Sequence, residues 1–378
     1  MAEQFPAVLV TGARQAGKTS LLRRIFPNIA YLSLDLPANA EAAQTAPEQL
    51  LDSYPEPLII DEIQYAPFLL RHLKYRIDQQ RSPGRYLLTG SQIFSLMQGV
   101  SESLAGRCAI LNLHTLSQDE LRDAGFSMED TSYILRGGYP ELHVGIDASL
   151  WFPAYVATYL ERDVRNILRV VDLRDFNRFL RACALRTSQV LNYSDLARDT
   201  GIAPNTARKW IGLLQASAVI ALIEPYYGNR TKRLIKAPKL VFLDTGLAAF
   251  LAGFRSEGEG GLFASSLAGA FWECHVFGQI IRKSASQGNV LPVYYWRTAN
   301  GPEVDLVIER TGGGIIAVEC KWKEHPDIAD TAGLRKLAEV EKERIKGKFI
   351  VCRTKAAYRL PDGTWVMNLQ QWMADGKW

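Results

Sequence analysis

The chain is poor in the residues that build disulfide frameworks, metal clusters and membrane spans. Its five cysteines, Cys108, Cys183, Cys274, Cys320 and Cys352, are scattered over 378 residues with no C-x-x-C pair. No histidine stands at zinc spacing from them, which argues against a zinc ribbon and against a disulfide-stapled secreted scaffold. No apolar run is long enough to cross a bilayer, and the chain does not open with the charged start and apolar core of a secretory leader. A reduced cytoplasm and no membrane partner are therefore expected. Neither sign of charge dominates: the net formal charge is +4, so a nucleic-acid partner has to be argued from local clusters rather than from the whole-chain field. Hydrophobic content of 47% and charged content of 22% are ordinary for a folded soluble protein. The length exceeds one core, and three domains are expected, over residues 1–127, 128–255 and 262–378.

What is present begins at once. Gly12-Ala13-Arg14-Gln15-Ala16-Gly17-Lys18-Thr19 completes a G-x-x-x-x-G-K-[ST] loop, preceded by the apolar run Val8-Leu9-Val10 and followed by the helix-like Ser20-Leu21-Leu22-Arg23-Arg24. Glycines let the backbone curl its N–H groups toward phosphate, Lys18 reaches the β/γ-phosphates, and Thr19 offers a hydroxyl to Mg²⁺. The helix that follows adds its positive end. A nucleoside triphosphate and Mg²⁺ are the expected cofactors. Ile29–Asp35 reads as a strand and Ala38–Tyr54 as a helix. The strand Leu58-Ile59-Ile60 then delivers Asp61 and Glu62, placed to hold Mg²⁺ through water and to orient the attacking water. A further strand, Arg85–Gln92, ends with Thr89 and Ser91 as candidate γ-phosphate sensors. Arg107, before the strand Cys108–Leu113, reads either as a surface residue or as one that reaches a neighbour's γ-phosphate in a ring. Strands alternating with helices predict an α/β fold with a doubly wound parallel sheet and ligand at the strand C-termini.

Gly137-Gly138-Tyr139-Pro140 is a turn signal, after which helices are expected from Leu150 to Thr187. Within them Tyr159–Arg165 reads as a packed, salt-bridged helix. Leu196-Ala197, Gly201-Ile202, Thr206, Trp210 and Leu214 fall where a helix-turn-helix needs its core and its turn, and Pro204 suits a first helical turn. Ala218–Ile223 reads as a strand leading into a wing, with the basic run Arg230-Thr231-Lys232-Arg233 beyond it. In a DNA-binding winged helix Asn205, Arg208 and Lys209 face the major groove, and Arg230, Lys232 and Arg233 contact phosphate. A docking or purely structural role fits the same segment.

The last third carries acids in a definite order. An apolar helix starting at Phe271-Trp272-Glu273 precedes strands at Val293–Arg297, Glu303–Ile308 and Ile315–Lys321. Asp305 followed by Glu319-x-Lys321 is the PD-(D/E)xK nuclease pattern: two carboxylates on adjacent strands hold a divalent metal, with a lysine beside them to polarise water. Strand alternation puts Glu319 and Lys321 on one face, and Glu273 is placed to complete the metal site. Whether such a site cuts stays open. Arg335–Lys348 reads as a solvated helix.

Taken together, the loop at Thr11–Thr19, Ile60-Asp61-Glu62-Ile63-Gln64, Leu88-Thr89-Gly90-Ser91, Leu104-Ala105-Gly106-Arg107, Gly137–Glu141, Phe242–Leu247, Glu303-Val304-Asp305 and Glu319-Cys320-Lys321 resemble the bacterial and archaeal AAA-type ATPases that end in a domain of unknown function containing a winged helix and a PD-(D/E)xK-like module. The resemblance covers nearly the whole chain and implies ATP binding, assembly into a homo-oligomeric ring and a link to nucleic acid. Members usually carry a further segment before the first strand, whereas here that strand is reached by Val8, which leaves the contacts of that segment open. Two functions follow as expectations: an ATP-driven DNA-processing protein, and, from a different class, a nucleotide-gated switch whose last module binds without cutting.

Overall fold

The computed structural model describes residues 1–90, 100, 103–160, 173–227, 237–254, 261–298 and 301–376. The chain divides into two compact units. The first comprises Met1–Thr115, Tyr139–Glu141 and Gly212–Val219; the second comprises Leu116–Gly138, Leu142–Ile211 and Ile220–Trp378. Residues read as separate middle and last segments thus share one unit.

The first unit is built on five parallel strands, β1 (Ala7–Gly12), β2 (Ala30–Ser33), β3 (Leu58–Asp61), β4 (Tyr86–Thr89) and β5 (Cys108–Leu113), in the order β2-β3-β4-β1-β5. Strands covered on both faces read as near-continuous apolar runs, and β1, β3 and β4 are buried along their whole length. Alternate residues feed two cores. Ala7, Leu9, Ile60 and Leu88 pack with Leu69, Leu70, Leu73 and Ile77 of the helix Leu69–Gln79; Val8, Val10, Ile59 and Leu87 pack with Leu22 of the helix Lys18–Ile25. The single helix expected over Ala38–Tyr54 is two, Pro37–Thr45 and Pro47–Asp52. Pro47 lacks an N–H and its ring collides with the preceding turn, so Ala46 leaves the helical region at φ −144° and a new helix starts.

In the second unit, β6 (Gln189–Val190), β7 (Ile220–Ile223) and β8 (Lys239–Phe242) form an antiparallel sheet in the order β6-β8-β7. Between β6 and β7 lie the helices Tyr193–Thr200 and Pro204–Ala216. Asn192 caps the first through its side chain, and Gly201, at φ 73°, ends it in the left-handed conformation that glycine adopts without strain. Trp210 of the second sets its ring edge-on against Phe176 and Phe179, at centroid distances of 5.3 and 5.1 Å. Helices occupy Ala148–Tyr155 and Leu173–Ala184, with a π-turn over Val156–Leu160 between them; Tyr159–Arg165 runs largely outside the described residues.

A six-stranded mixed sheet follows: β9 (Val293–Arg297), β10 (Glu303–Glu309), β11 (Ile315–Cys320), β12 (Ile345–Val351), β13 (Tyr358–Arg359) and β14 (Trp365–Met367), in the order β13-β14-β12-β11-β10-β9. The helix Ala268–Ser286 is anchored to it by the indole N–H of Trp272, which donates to Val351 O at 2.9 Å. Leu334 and Leu337 of the helix Ala332–Glu341 pack with Val304, Val307, Ala317 and Ile350. The helix expected over Arg335–Lys348 therefore starts earlier and ends earlier. Lys342 turns to φ 45°, and Ile345–Val351 joins the sheet parallel to β11, as its β-branched and aromatic residues favour. The two sheets are tied through Tyr295 of β9. Its N–H donates to Glu224 O at 3.1 Å, its carbonyl accepts from Tyr226 N–H at 2.6 Å, and its hydroxyl donates to Ala237 O at 2.6 Å.

Candidate functional sites

The carboxyl ends of β1, β3 and β4 bring the phosphate loop and the acidic pair together, where an open parallel sheet takes its ligand. Gly12 leaves β1 at φ 143° with the position of a Cβ only 2.0 Å from Leu113 O, so no other residue fits there. Gly17, at φ 93°, turns the loop into the helix that begins at Lys18. The Lys18 ammonium is buried and donates to Gly12 O at 3.2 Å and Ala13 O at 2.9 Å, which curls its side chain over the loop. Thr19 Oγ1 donates to Asp61 Oδ1 at 2.7 Å. The hydroxyl and the carboxylate read as the ion's holders are thus side by side, and the donor set, oxygen throughout, suits Mg²⁺.

Asp61 is held from three sides. Besides Thr19, the Tyr31 hydroxyl donates to Oδ2 at 2.7 Å, and the Thr89 hydroxyl donates to Oδ1. Burial, and then the hydrogen bond to Asp61, push the Tyr31 phenol up to about 12, so it stays a donor throughout the physiological range. Thr89 is fully buried, and the same Oγ1 accepts the Glu62 N–H at 3.0 Å. Glu62 itself stands in the left-handed region, φ 57° and ψ 48°, which is disfavoured for a residue with a Cβ. Gln64 donates its amide to the Glu62 carboxylate. Thr89, one of the two candidate phosphate sensors, therefore spends its hydroxyl on both acids; Ser91, the other, lies outside the described residues. Tyr31 carried no sequence signal beyond its place in the strand after β1, and Gln64 was read only as part of the run Ile60–Gln64.

Arg107 sits at the opposite edge of the same sheet. Its carbonyl accepts from Ala7 N–H at 3.1 Å, and its guanidinium pairs with Asp78 at 2.5 Å. β1 separates that edge from the phosphate loop by about 17 Å at 3.3 Å per residue, so Arg107 does not serve its own chain's nucleotide.

In the second unit Asn205, Arg208 and Lys209 are exposed, and their i, i+3, i+4 spacing puts them on one face, while Ala207, Trp210, Ile211 and Leu214 are buried on the other. The Arg208 guanidinium lies over the Tyr193 ring at 4.9 Å. Arg230, Lys232 and Arg233 lie outside the described residues.

The acids of the last segment do converge. Glu273 from the helix Ala268–Ser286, Asp305 from β10 and Glu319 from β11 are all buried, and they line one groove with Lys321. Asp305 stands in a bulge: Val304 pairs with Trp296 and Val307 with Tyr294, so β10 holds one residue more than β9 over this stretch, a device that re-aims a side chain. Its Oδ2 accepts the Cys320 N–H at 2.8 Å, and Lys321 Nζ donates to Glu319 Oε1 at 2.6 Å. One more cation is present that sequence reasoning missed. Lys239, the first residue of β8 and only 2% exposed, places Nζ 2.9 Å from Glu273 Oε1 and 3.5 Å from Asp305 Oδ1. Burial raises the Glu273 and Glu319 carboxyls, while the Lys239 and Lys321 ammoniums pull the other way, and the close N–O contacts mark the acids as ion-paired. Read as a divalent-metal site the trio does not fit, because an ammonium already bridges two of its carboxylates. Among the described residues no group of three or more His, Cys, Asp or Glu side chains is arranged to hold a metal ion. Among them, too, no helix is long and apolar enough to cross a membrane.

Residues 4–122 match the AAA domain family, residues 130–258 a domain of unknown function (DUF8612), and residues 268–372 another (DUF4143). The uncharacterized protein Rv2008c of Mycobacterium tuberculosis is 33% identical over 311 residues, 81% of this chain and 68% of the relative. The uncharacterized protein Mb2031c of Mycobacterium bovis matches to the same extent. Among solved structures, the Walker-type ATPase PABY2304 of Pyrococcus abyssi aligns with a TM-score of 0.44 at 17% identity, over 66% of this chain and 91% of that one. RuvB of Thermotoga maritima (T158V) aligns with a TM-score of 0.30 at 19% identity, over 61% and 87%.

Proposed function

Because residues 4–122 match the AAA domain family and the chain belongs to the family of these uncharacterized mycobacterial proteins, we propose that it is a Mg-ATP hydrolase that acts on DNA as a homo-oligomer. The hydrogen bond from Thr19 Oγ1 to Asp61 Oδ1 carries the reading, since it joins the hydroxyl and the carboxylate that have to share the ion. Thr19 and Asp61 would hold Mg²⁺, which when bound would supply positive charge against the negative charge that develops in phosphoryl transfer. Lys18 then swings from the loop carbonyls to the phosphates. The Glu62 carboxylate accepts the proton of the attacking water, held in position by Thr89 at its backbone and Gln64 at its side chain. Arg107 completes the site of a neighbouring subunit, an assignment supported by its distance from its own phosphate loop.

The DNA part is supported by the exposed face of Asn205, Arg208 and Lys209 on the second helix of a helix-turn-helix followed by a hairpin, the arrangement of a winged helix. In this reading the last sheet, with Asp305, Glu319 and Lys321 in PD-(D/E)xK order, is a nuclease-like module, and the ion-paired state of its acids favours binding without cutting.

ATP hydrolysis by the wild type and by Glu62→Gln, each with and without duplex, single-stranded and four-way-junction DNA, tests the proposal. Glu62→Gln is expected to bind ATP and lose turnover by roughly 10²- to 10⁴-fold. One DNA form should stimulate the wild type, and a triple alanine variant at Asn205, Arg208 and Lys209 should weaken DNA binding and flatten its salt dependence. ATPase activity indifferent to every DNA would leave the nucleotide-gated switch as the better description.

A further inference from the structure

The acid cluster of the last sheet has the composition of a divalent-cation site and the wiring of something else. Each of its three carboxylates has a named partner: Glu273 Oε1 takes Lys239, Asp305 Oδ1 takes Lys239 and Oδ2 the Cys320 N–H, and Glu319 Oε1 takes Lys321. Of the oxygens of these three carboxylates, Glu319 Oε2 is buried without a hydrogen bond. Lys239 comes from β8, outside the sheet that carries the acids, and its ammonium also lies over the ring of Tyr295 on β9, 5.5 Å from the centroid. A Lys buried to this degree is ordinarily found only when paired, and breaking such a pair leaves uncompensated buried charge.

We propose that Lys239 is the resident cation of the Glu273–Asp305–Glu319 cluster, standing where a divalent metal would otherwise bind, so that this site takes no metal and its acids fasten the hairpin of β7 and β8 to the C-terminal sheet. A Mg²⁺ ion needs ligand oxygens at about 2.1 Å in near-octahedral array and usually keeps several waters. An ion ligated by both Glu273 Oε1 and Asp305 Oδ1 would lie within a few ångströms of Nζ, and the two positive centres would repel inside a water-poor pocket. The lysine is covalently delivered and therefore always present, whereas a dissolved metal has to displace it. The proposal rests on the nuclease-like reading of the sheet only for the comparison with a metal; the ion pairs stand without it.

The test uses the full chain, free of nucleotide. Mn²⁺ binding is followed by electron paramagnetic resonance for the wild type, Asp305→Asn and Lys239→Ala, with Tm recorded in EDTA and in Mn²⁺. The wild type and Asp305→Asn are expected to bind Mn²⁺ identically, any shared signal coming from the Thr19–Asp61 site, and neither is expected to nick DNA in Mg²⁺ or Mn²⁺. Lys239→Ala is expected to lose about 10 °C of Tm in EDTA, to gain one Mn²⁺ site and to recover Tm when Mn²⁺ is added; adding Asp305→Asn to it should remove that gain. An Asp305-dependent Mn²⁺ site or Asp305-dependent cleavage in the wild type would overturn the proposal, and so would a folded Lys239→Ala that takes up no Mn²⁺. Should Lys239→Ala not fold, the comparison of the wild type with Asp305→Asn still decides. ATP hydrolysis measured on the same preparations reports on the other site alone, so a failure of the ATPase reading leaves the Mn²⁺ comparison intact.

Discussion

Thr89→Val removes one hydroxyl and keeps the shape. The hydroxyl makes two bonds, accepting from Glu62 N–H at 3.0 Å and donating to Asp61, and it is fully buried, so water does not replace it. Losing a hydrogen bond to an ionised carboxylate costs about 1.5–3 kcal/mol, and stranding a buried N–H about 1–3 kcal/mol. Asp61 keeps Thr19 and Tyr31, which lowers the first cost toward its lower bound. The Glu62 backbone is less well buttressed: its left-handed conformation, φ 57°, is disfavoured by roughly 1–2 kcal/mol for a residue with a Cβ, and the bond to Thr89 offsets that together with the Tyr65 N–H donated to Glu62 O at 3.1 Å. Without it Glu62 shares its time with an extended conformer that points the carboxylate elsewhere. At about 1.4 kcal/mol per factor of ten, kcat for ATP should fall about 10- to 100-fold, while KM changes little because the phosphate loop is untouched. Steady-state hydrolysis by the wild type, Thr89→Val and Thr89→Ser measures this, with the serine expected to restore most of the rate. A Thr89→Val enzyme within twofold of the wild type in kcat would refute the idea that Thr89 holds Glu62.

Two further outcomes follow from the described geometry. Gly333→Ala should destabilise the second unit strongly, since an added Cβ would sit 1.8 Å from Glu303 O, a backbone atom on the strand that carries Asp305; a Tm equal to the wild type's would contradict this close approach. If Arg107 serves a neighbouring subunit, ATPase activity per chain should fall on dilution through subunit dissociation, and Arg107→Ala should lower turnover of the assembled chain and make little difference once it is dissociated; a flat dilution series would sink the trans assignment.

The nucleotide site was largely legible because its chemistry is local. A phosphate loop has to be contiguous, and a buried strand that ends in acids announces itself by a run such as Leu58-Ile59-Ile60 before Asp61. The division of one expected helix at Pro47 was equally local, and the proline was there to be read. Other features depended on distance in the chain. Tyr31 reaches Asp61 from β2 and Lys239 reaches Glu273 from β8; neither carries a pattern of its own, because an ion pair between residues 34 apart has no period or spacing to betray it. The end of the helix at Glu341 was missed for a different reason. Alternating charges satisfy a solvated helix and an exposed turn alike, and only the sheet's demand for β12 decides between them.

The link through Tyr295 bears on how this protein can be divided. The main chain leaving β7 pairs with β9 for one bridge, Pro225 beside Tyr295, and the Tyr295 hydroxyl reaches Ala237 just ahead of β8. A cut between residues 258 and 268, where two matched families meet, would strip β9 of its bonds to Glu224 and Tyr226 and Asp305 of its ammonium. The two stretches are separable as text and inseparable as folding units. Gene fragments that begin after this boundary should yield insoluble protein, and recombination between relatives should not tolerate a crossover at residues 258–268.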